Sequence, residues 1–337
     1  MSQSKPEPTQ RTLRFADFPE QPESVEPIQV LTSKGTAPSP DALSRTPAFG
    51  VSDQRARALL MPNEEVIVVD DPDGYQVVLC GGLNCRLPGP YGVDLNGTVV
   101  SSRFDQYDYT CFLGLLRYVD GRLGVSVVFE PYAFVKSIGL TDNQRNVRTV
   151  FESIARMAET RIAVRQPIAG SPGQFEYLVG RLVSSVAYNT KTGKYSVMLD
   201  PRMAGLFRPA YFSSLVWQHR LSIKSALARW LHAELTSHES GRFRWVHKLQ
   251  EAYGVTSEPR VFKARLKKAA EEVAKVTGWE ISFEKSPRSN LEKLIVVKTN
   301  EFVIVEDQPD IFEVRGSMDE ESSRPRFGFA GPVPTQH

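Results

Sequence analysis

Hydrophobic positions along this chain recur at two periods, and the switches between them divide it into segments. Phe104, Tyr107, Cys111, Leu115 and Tyr118 are spaced 3, 4, 4 and 3 apart, which puts them on one face of a helix. Val125 to Phe129 then predicts a strand. Pro131 suits the first turn of a short helix that reaches Ile138 and stops at Gly139. Thr141 and Gln144 have the spacing of a capping box, and the helix they open shows Val147, Val150, Phe151, Ile154 and Met157 on one side. Residues 161–165, 174–186 and 194–199 read as strands, with Thr190-Lys191-Thr192-Gly193 as a hairpin turn.

The same order then returns. Leu221 to Leu235 predicts one helix, with Leu221, Ser225, Ala228, Leu231 and Leu235 near its buried side and Leu227 flanking them. Arg242 to Trp245 is a short extended piece and Val246 to Tyr253 a short helix. Ser257 is a candidate cap, and Pro259 falls in the first turn of a long helix, where its missing N–H costs little. That helix places Phe262, Leu266, Ala269, Val273 and Val276 at spacings of 4, 3, 4 and 3. Trp279 to Glu284 and Leu291 to Lys298 form a hairpin around residues 285–290. Helix, helix–turn–helix and β-hairpin wing, twice over, predict an α+β chain. Its two tandem winged-helix domains would occupy residues 101–208 and 211–299.

The other segments differ in composition. Residues 1–50 hold eight prolines and no long periodic apolar pattern, so they read as a disordered arm. Within it, Leu13, Phe15 and Phe18 are large apolar groups in a polar setting, as in a docking peptide. Residues 51–100 read as a β-rich lead-in, with a hairpin of Val66–Val69 and Tyr75–Leu79 around a turn-rich segment. Residues 300–337 carry eight acidic and three basic side chains and read as an acidic, disordered tail. The total of 337 residues suits two domains, and three cysteines fit a reducing compartment. No apolar run is long enough to span a bilayer and no signal-peptide pattern opens the chain, so a cytoplasmic protein without a membrane partner is expected.

Candidate catalytic chemistry is sparse. There is no Gly-x-x-x-x-Gly-Lys-Ser/Thr loop, no paired histidines of metal-ligand spacing, and no second cysteine pair to join Cys80 and Cys85. The expectation is a protein with no catalytic residues, no metal and no cofactor.

Charge changes this picture, although the formal total is only +2. From Thr256 to Lys298 there are ten Lys or Arg against six Asp or Glu. Arg260, Lys263 and Lys267 lie opposite the apolar stripe of the long helix, with Lys268 alongside. A helix of this kind fits the major groove, where arginine can fork onto guanine, so Arg260 is the expected base reader. Lys285 and Arg288 at the wing tip would meet the backbone or minor groove. In the first domain Arg145, Asn146, Arg148, Thr149 and Arg156 would play the same part, with Lys191 at the hairpin tip. Asn146 has the donor and acceptor pair that matches adenine.

The run Leu221-Ser222-Ile223-Lys224-Ser225-Ala226-Leu227-Ala228-Arg229-Trp230-Leu231 carries a family likeness. So do Trp217, Ser237-His238, Lys248-Leu249-Gln250-Glu251-Ala252-Tyr253-Gly254 and the stretch from Arg260 to Ala269. With a looser fit through Phe112–Leu116 and Asn143–Arg156, the chain resembles plasmid replication initiators of the TrfA type, which bind iterons through two winged-helix domains. The likeness spans roughly residues 100–300 and is spread along the chain. It implies binding to double-stranded direct repeats at a plasmid origin, opening of an adjacent A·T-rich segment, and recruitment of the host replicative helicase and sliding clamp. It also implies monomers on the repeats and a homodimer as the inactive form. On this resemblance Gln10, Leu13 and Phe15 match a clamp-binding peptide of the form Gln-x-x-Leu-x-Phe. Arg11 departs from the shorter form, and the acidic tail has no counterpart. A winged-helix transcriptional repressor is the alternative reading, with no need of the Gln10–Phe15 peptide.

Overall fold

The computed structural model describes residues 26–30, 32–49, 65–67, 76–80, 84–85, 98–99, 104–189, 191–253, 255, 257–287, 289 and 291–299. Gln10, Leu13, Phe15, Arg288 and the acidic tail lie outside the described residues. The chain opens with β1 (Ile28–Gln29), β2 (Thr36–Pro40) and α1 (Asp41–Arg45). Four short strands follow, β3 (Glu65–Ile67), β4 (Gln76–Cys80), β5 (Asn84–Cys85) and β6 (Thr98–Val99). The first helical group is α2 (Gln106–Tyr118), β7 (Arg122–Leu123), β8 (Ser126–Phe129), α3 (Pro131–Ser137) and α4 (Gln144–Glu159). It leads into β9 (Arg161–Pro167), β10 (Phe175–Gly180), β11 (Val183–Asn189) and β12 (Lys194–Leu199). The second group is β13 (Phe212–Val216), α5 (Trp217–Ser222), α6 (Ala226–Thr236), β14 (Phe243–Trp245), α7 (Val246–Tyr253), α8 (Pro259–Thr277), β15 (Glu280–Lys285) and β16 (Glu292–Val297).

Each helical group owns an open three-stranded antiparallel sheet, in the orders β11-β12-β8 and β14-β16-β15. This mixed α/β architecture with open sheets is consistent with winged-helix-like domains. The lead-in is not separate from the first of them. Its hairpin forms as expected, but β4 continues into the four-stranded sheet β10-β9-β4-β3, where Val77 is fully buried. The expected strand over 174–186 is therefore two strands, because β10 joins β9 in that sheet while β11 pairs with β12 in the other.

Local chemistry fixes the helix ends. Asp105 accepts hydrogen bonds from the Tyr107 and Asp108 amides, and Asp108 accepts one from the Asp105 amide, a reciprocal box at the start of α2. At α4 the cap is Asn143, not Thr141: its side-chain oxygen accepts from the Asn146 amide at 2.8 Å. Ser257 likewise falls one place short of α8, whose cap position is Glu258 and whose first residue is Pro259. Gly278, at φ 73°, ends α8 in a left-handed conformation that suits glycine.

Two further expectations are overturned. Much of the stretch read as a disordered arm is core. Ala37, Ala42, Leu43, Ala48 and Phe49 are buried, and β2 pairs with β13 in the register Ala37 to Leu215. Small side chains permit that packing, and the polar ones are satisfied inside: Ser39 and Ser44 share hydrogen bonds with each other and with the Tyr109 hydroxyl at 2.7–3.1 Å. The single helix expected over 221–235 is instead α5 and α6, broken at Ile223-Lys224-Ser225. Ser225 caps α6 by accepting from the Ala228 amide. The Glu272 carboxylate of α8 accepts from the amides of Lys224 and Ser225, so a tertiary contact holds the break open.

The apolar core has two parts. One runs from Val30 to Trp217 and includes Ala233; the other holds Ile223 to Val296. They meet at a polar seam. Arg220 of α5 is fully buried with no carboxylate among its described partners. It donates to the Gln106 carbonyl at 2.8 Å and the Thr110 hydroxyl at 3.0 and 3.1 Å on α2, and to the Arg229 carbonyl at 2.8 Å on α6. The Tyr109 ring lies 5.2 Å from its guanidinium carbon. Burial, with the nearby Arg229 charge, pulls its pKa down to about 9, which leaves it charged at neutral pH. A second set of contacts runs along α6. Arg45 donates to the Ser237 hydroxyl and carbonyl, and the buried Glu234 accepts from Arg244 at 2.9 Å and pairs with His238 at 3.1 Å.

Truncating Arg220 leaves three oxygen partners short of a donor in a buried seam. Arg220→Ala is expected to lower unfolding free energy by about 3 kcal/mol and to separate denaturation into two transitions; a single unshifted transition in urea would show that the seam does not couple the cores. Burial alone would raise the Glu234 pKa, but the His238 hydrogen bond and the Arg244 charge outweigh it and hold it below the usual value. The unfolded chain therefore takes up that proton more readily, and this stabilisation is present above about pH 4.5 and lost as pH falls through the folded value. Glu234→Gln should lower the urea midpoint at pH 7 and shallow its decline towards pH 4. An unchanged acid limb would contradict this.

Candidate nucleic-acid interface

The long helix α8 is held on three sides. Phe262, Leu266, Ala269, Ala270 and Val273 are buried against the second core. On one flank Glu272 takes the two amides at the start of α6. On the other, Lys263 and Lys267 reach the Glu292 carboxylate of β16 at 2.6 and 3.8 Å. The Lys267 ammonium also lies 5.3 Å from the centre of the Phe283 ring on β15. These ties bind the helix to the sheet beside it and leave one face to solvent.

That face is Arg260, Val261, Ala264, Arg265, Lys268, Glu271 and Lys275, all exposed. At about 100° per residue, Ala264 stands nearly opposite the buried stripe. Among the described residues no carboxylate lies within ion-pair distance of Arg260, Arg265 or Lys268. The expected basic helix is therefore present with its centre shifted. Arg260 and Lys268 face outward, while Lys263 and Lys267 lie on the wing side with their charge shared by Glu292. Arg265 and Val261 belong to the outer face and escaped a reading based on Lys and Arg spacings of three and four; a wheel centred on Ala264 finds both. Lys285 is exposed at the end of β15.

The first unit is less open. Arg145 is exposed near the start of α4. Arg148 is exposed as well, and its guanidinium pairs with Glu152 at 2.9 Å. Asn146 donates its side-chain amide to the Thr141 carbonyl at 2.7 Å, so in this structure it braces the α3–α4 turn rather than presenting its amide for adenine. The Thr149 hydroxyl donates to the Arg145 carbonyl one turn back. Arg156 does not join this surface. Its side chain is 12 % exposed and grips Asp108, which is 1 % exposed, through bonds of 2.6 to 3.3 Å. It ties α4 to α2. Lys191 is exposed at the tip of the β11–β12 hairpin, where the turn is set by Asn189, whose side chain accepts the Lys191 and Thr192 amides.

Among the described residues no group of three or more His, Cys, Asp or Glu is placed to hold a metal, and no helix is long and apolar enough to cross a membrane. Cys111 is buried, and burial pushes its thiol up to about 12.

No family model matches this chain, and no curated protein does. Among solved structures it is similar to selenomethionine derivatives of domains 2 and 3 of RctB, with a TM-score of 0.47 and 12% identity, covering 77% of this chain and 98% of that one. It is also similar to the Pi initiator protein in complex with iteron DNA, at a TM-score of 0.40 and 13% identity, covering 57% of this chain and 92% of that one. A further structure of RctB domains 2 and 3 gives a TM-score of 0.40 and 10% identity over 70% of this chain and 91% of that one. At identities this low, what the chain binds has to be argued from its own residues.

Glu292 neutralises part of the charge on α8, and its removal should free both lysines. Glu292→Gln is expected to tighten binding to random duplex DNA at low salt. It should also steepen the fall of log affinity with log salt by about one unit for each additional phosphate neutralised. An unchanged salt slope would place Lys263 and Lys267 outside the interface.

Proposed function

We propose that this chain is a sequence-specific double-stranded DNA-binding protein of the replication-initiator kind, built on two tandem winged-helix domains. The observation that carries the reading is the outer face of α8. Three cations with no carboxylate partner among the described residues surround a small residue, on a helix braced from behind by a core and from both sides by polar ties. Such a surface suits the major groove, where rigid backing lets side chains reach base edges in one register. Arg260, in the first turn, forks onto a guanine. Lys268 and Arg265 hold phosphates, and Lys285 touches the backbone beside the wing. Lys263 and Lys267 reach phosphates on the wing side. Arg145 and Arg148 of α4 and Lys191 of the first hairpin give the first domain a second, weaker contact.

The resemblance to TrfA-type initiators from Leu215 to Trp279 supports a more specific form. The DNA is a set of direct repeats at a plasmid origin, bound by monomers, and the host helicase and sliding clamp are recruited once the neighbouring A·T-rich DNA opens. Gln10, Leu13 and Phe15 are the clamp contact in this reading. Two reading surfaces in one chain raise the effective concentration of the second contact after the first has formed. That surplus can offset the several kcal/mol needed to bend or untwist the site.

Selection of random duplexes by the purified protein, at 50 and 200 mM salt, tests the reading. The expected result is one long motif. Arg260→Ala should relax preference at one guanine by roughly five- to 150-fold, since a bidentate contact is worth about 1–3 kcal/mol. Binding without a motif, weakening uniformly with salt in both proteins, would reduce α8 to a phosphate-binding surface and overturn the proposal.

A further inference from the structure

Val261 is an unusual occupant of the outer face of α8. It is 48% exposed, while its neighbours Arg260, Arg265 and Lys268 are cations. A β-branched residue on an exposed helix surface lowers helix propensity and gains no burial in return. A lone exposed apolar side chain is ordinary on a protein surface, so its position has to make the case. Val261, Ala264, Arg265 and Lys268 are spaced at i, i+3, i+4 and i+7, one continuous strip. Val261 lies in the first turn after Pro259, the end of a recognition helix that approaches base edges. Ala264 is the smallest side chain on the strip, so nothing there holds the helix off. The first carboxylate reached along this face after Pro259 is Glu271. The first three turns are therefore cationic and apolar, complementary to a polyanion with an apolar group in its groove.

Only one base pair offers such a group. Thymine presents its C5 methyl in the major groove, and neither guanine, cytosine nor adenine presents a methyl there. We infer that Val261 is a specificity residue whose isopropyl group packs on the C5 methyl of one thymine in the bound duplex. Arg260 and Lys268 set the register, and Ala264 permits the close approach. The inference rests on the DNA-binding reading of α8 and adds to it a named base and a named atom.

A cycle between protein and DNA tests it. In the selected duplex each thymine is replaced in turn by deoxyuridine, which removes the methyl group and keeps the Watson–Crick pair. Wild type should lose roughly three- to fivefold in affinity at one position, the scale of one buried methyl group at about 0.8 kcal/mol. Val261→Ala should lose a similar factor on the thymine duplex and be indifferent to deoxyuridine at that same position. Val261→Ile, which keeps the apolar surface, should stay sensitive to it. Val261 is half exposed, so Val261→Ala should keep the wild-type melting curve, and thermal denaturation is run beside the binding assay.

Losses that simply add at every thymine, a Val261→Ala protein that binds like wild type, or a motif without thymine would each overturn the inference. Arg260→Ala separates the levels. If it loses affinity while Val261→Ala stays as sensitive to deoxyuridine as wild type, the methyl contact alone fails. If neither substitution changes binding to any duplex, the DNA reading of α8 fails with it, and the strip faces a partner of another kind.

Discussion

Arg220 is a buried cation met, among the described residues, by carbonyl and hydroxyl oxygens and the face of Tyr109. Moving such a charge into a buried seam costs several kcal/mol unless its donors find acceptors, and here the acceptors lie on α2 on one side and α6 on the other. Neither core alone supplies the full set of acceptors. The geometry of the junction is therefore specified by a group that tolerates no slippage, since a shift of an ångström would leave a buried charge short of partners. Arg45 on Ser237, and Glu234 between Arg244 and His238, extend the same logic along α6.

The consequence reaches the outer face of α8 through α6. That helix packs on α8, its first residues are held by Glu272, and its last turn is tied to α1. The outer face of α8 is thus fixed to the second core directly and to the first core through two polar links. A reading helix pays less ordering entropy on binding when its scaffold is already rigid. The ion pairs of Lys263 and Lys267 with Glu292 play a related part at the wing, where they align helix and sheet while moderating the charge presented to a polyanion.

Much of this was legible in the sequence, and the failures share one cause. The helices α2, α3, α7 and α8 follow from apolar period and from end signals such as Pro131, Gly139 and Pro259, all local in sequence. What escaped depends on partners far along the chain. Residues 36–49 look too polar and proline-rich to pack, yet Ser39 and Ser44 find the Tyr109 hydroxyl some seventy residues on. The apolar pattern through 221–235 is unbroken, and the contact that helps hold the break after Ser222 comes from Glu272, 48 residues beyond Lys224. Arg156 sits on the polar side of α4 beside Arg145 and Arg148, but Asp108 draws it inward. On α8 the charged residues were visible and their division was not, because Glu292 on a later strand decides which lysines turn aside.

If the seam at Arg220 holds the two helical units in one arrangement, the two DNA contacts proposed for them must be continuous and in fixed phase. Hydroxyl-radical footprinting of the selected duplex measures this directly. Protection is expected over more than one helical turn, about 10.5 base pairs, with the part nearest α4 lost when Arg145 and Arg148 are both changed to alanine and the part nearest α8 retained. Protection confined to a single half-turn, unaltered by those substitutions, would contradict a tandem reader and leave α8 as the sole point of contact.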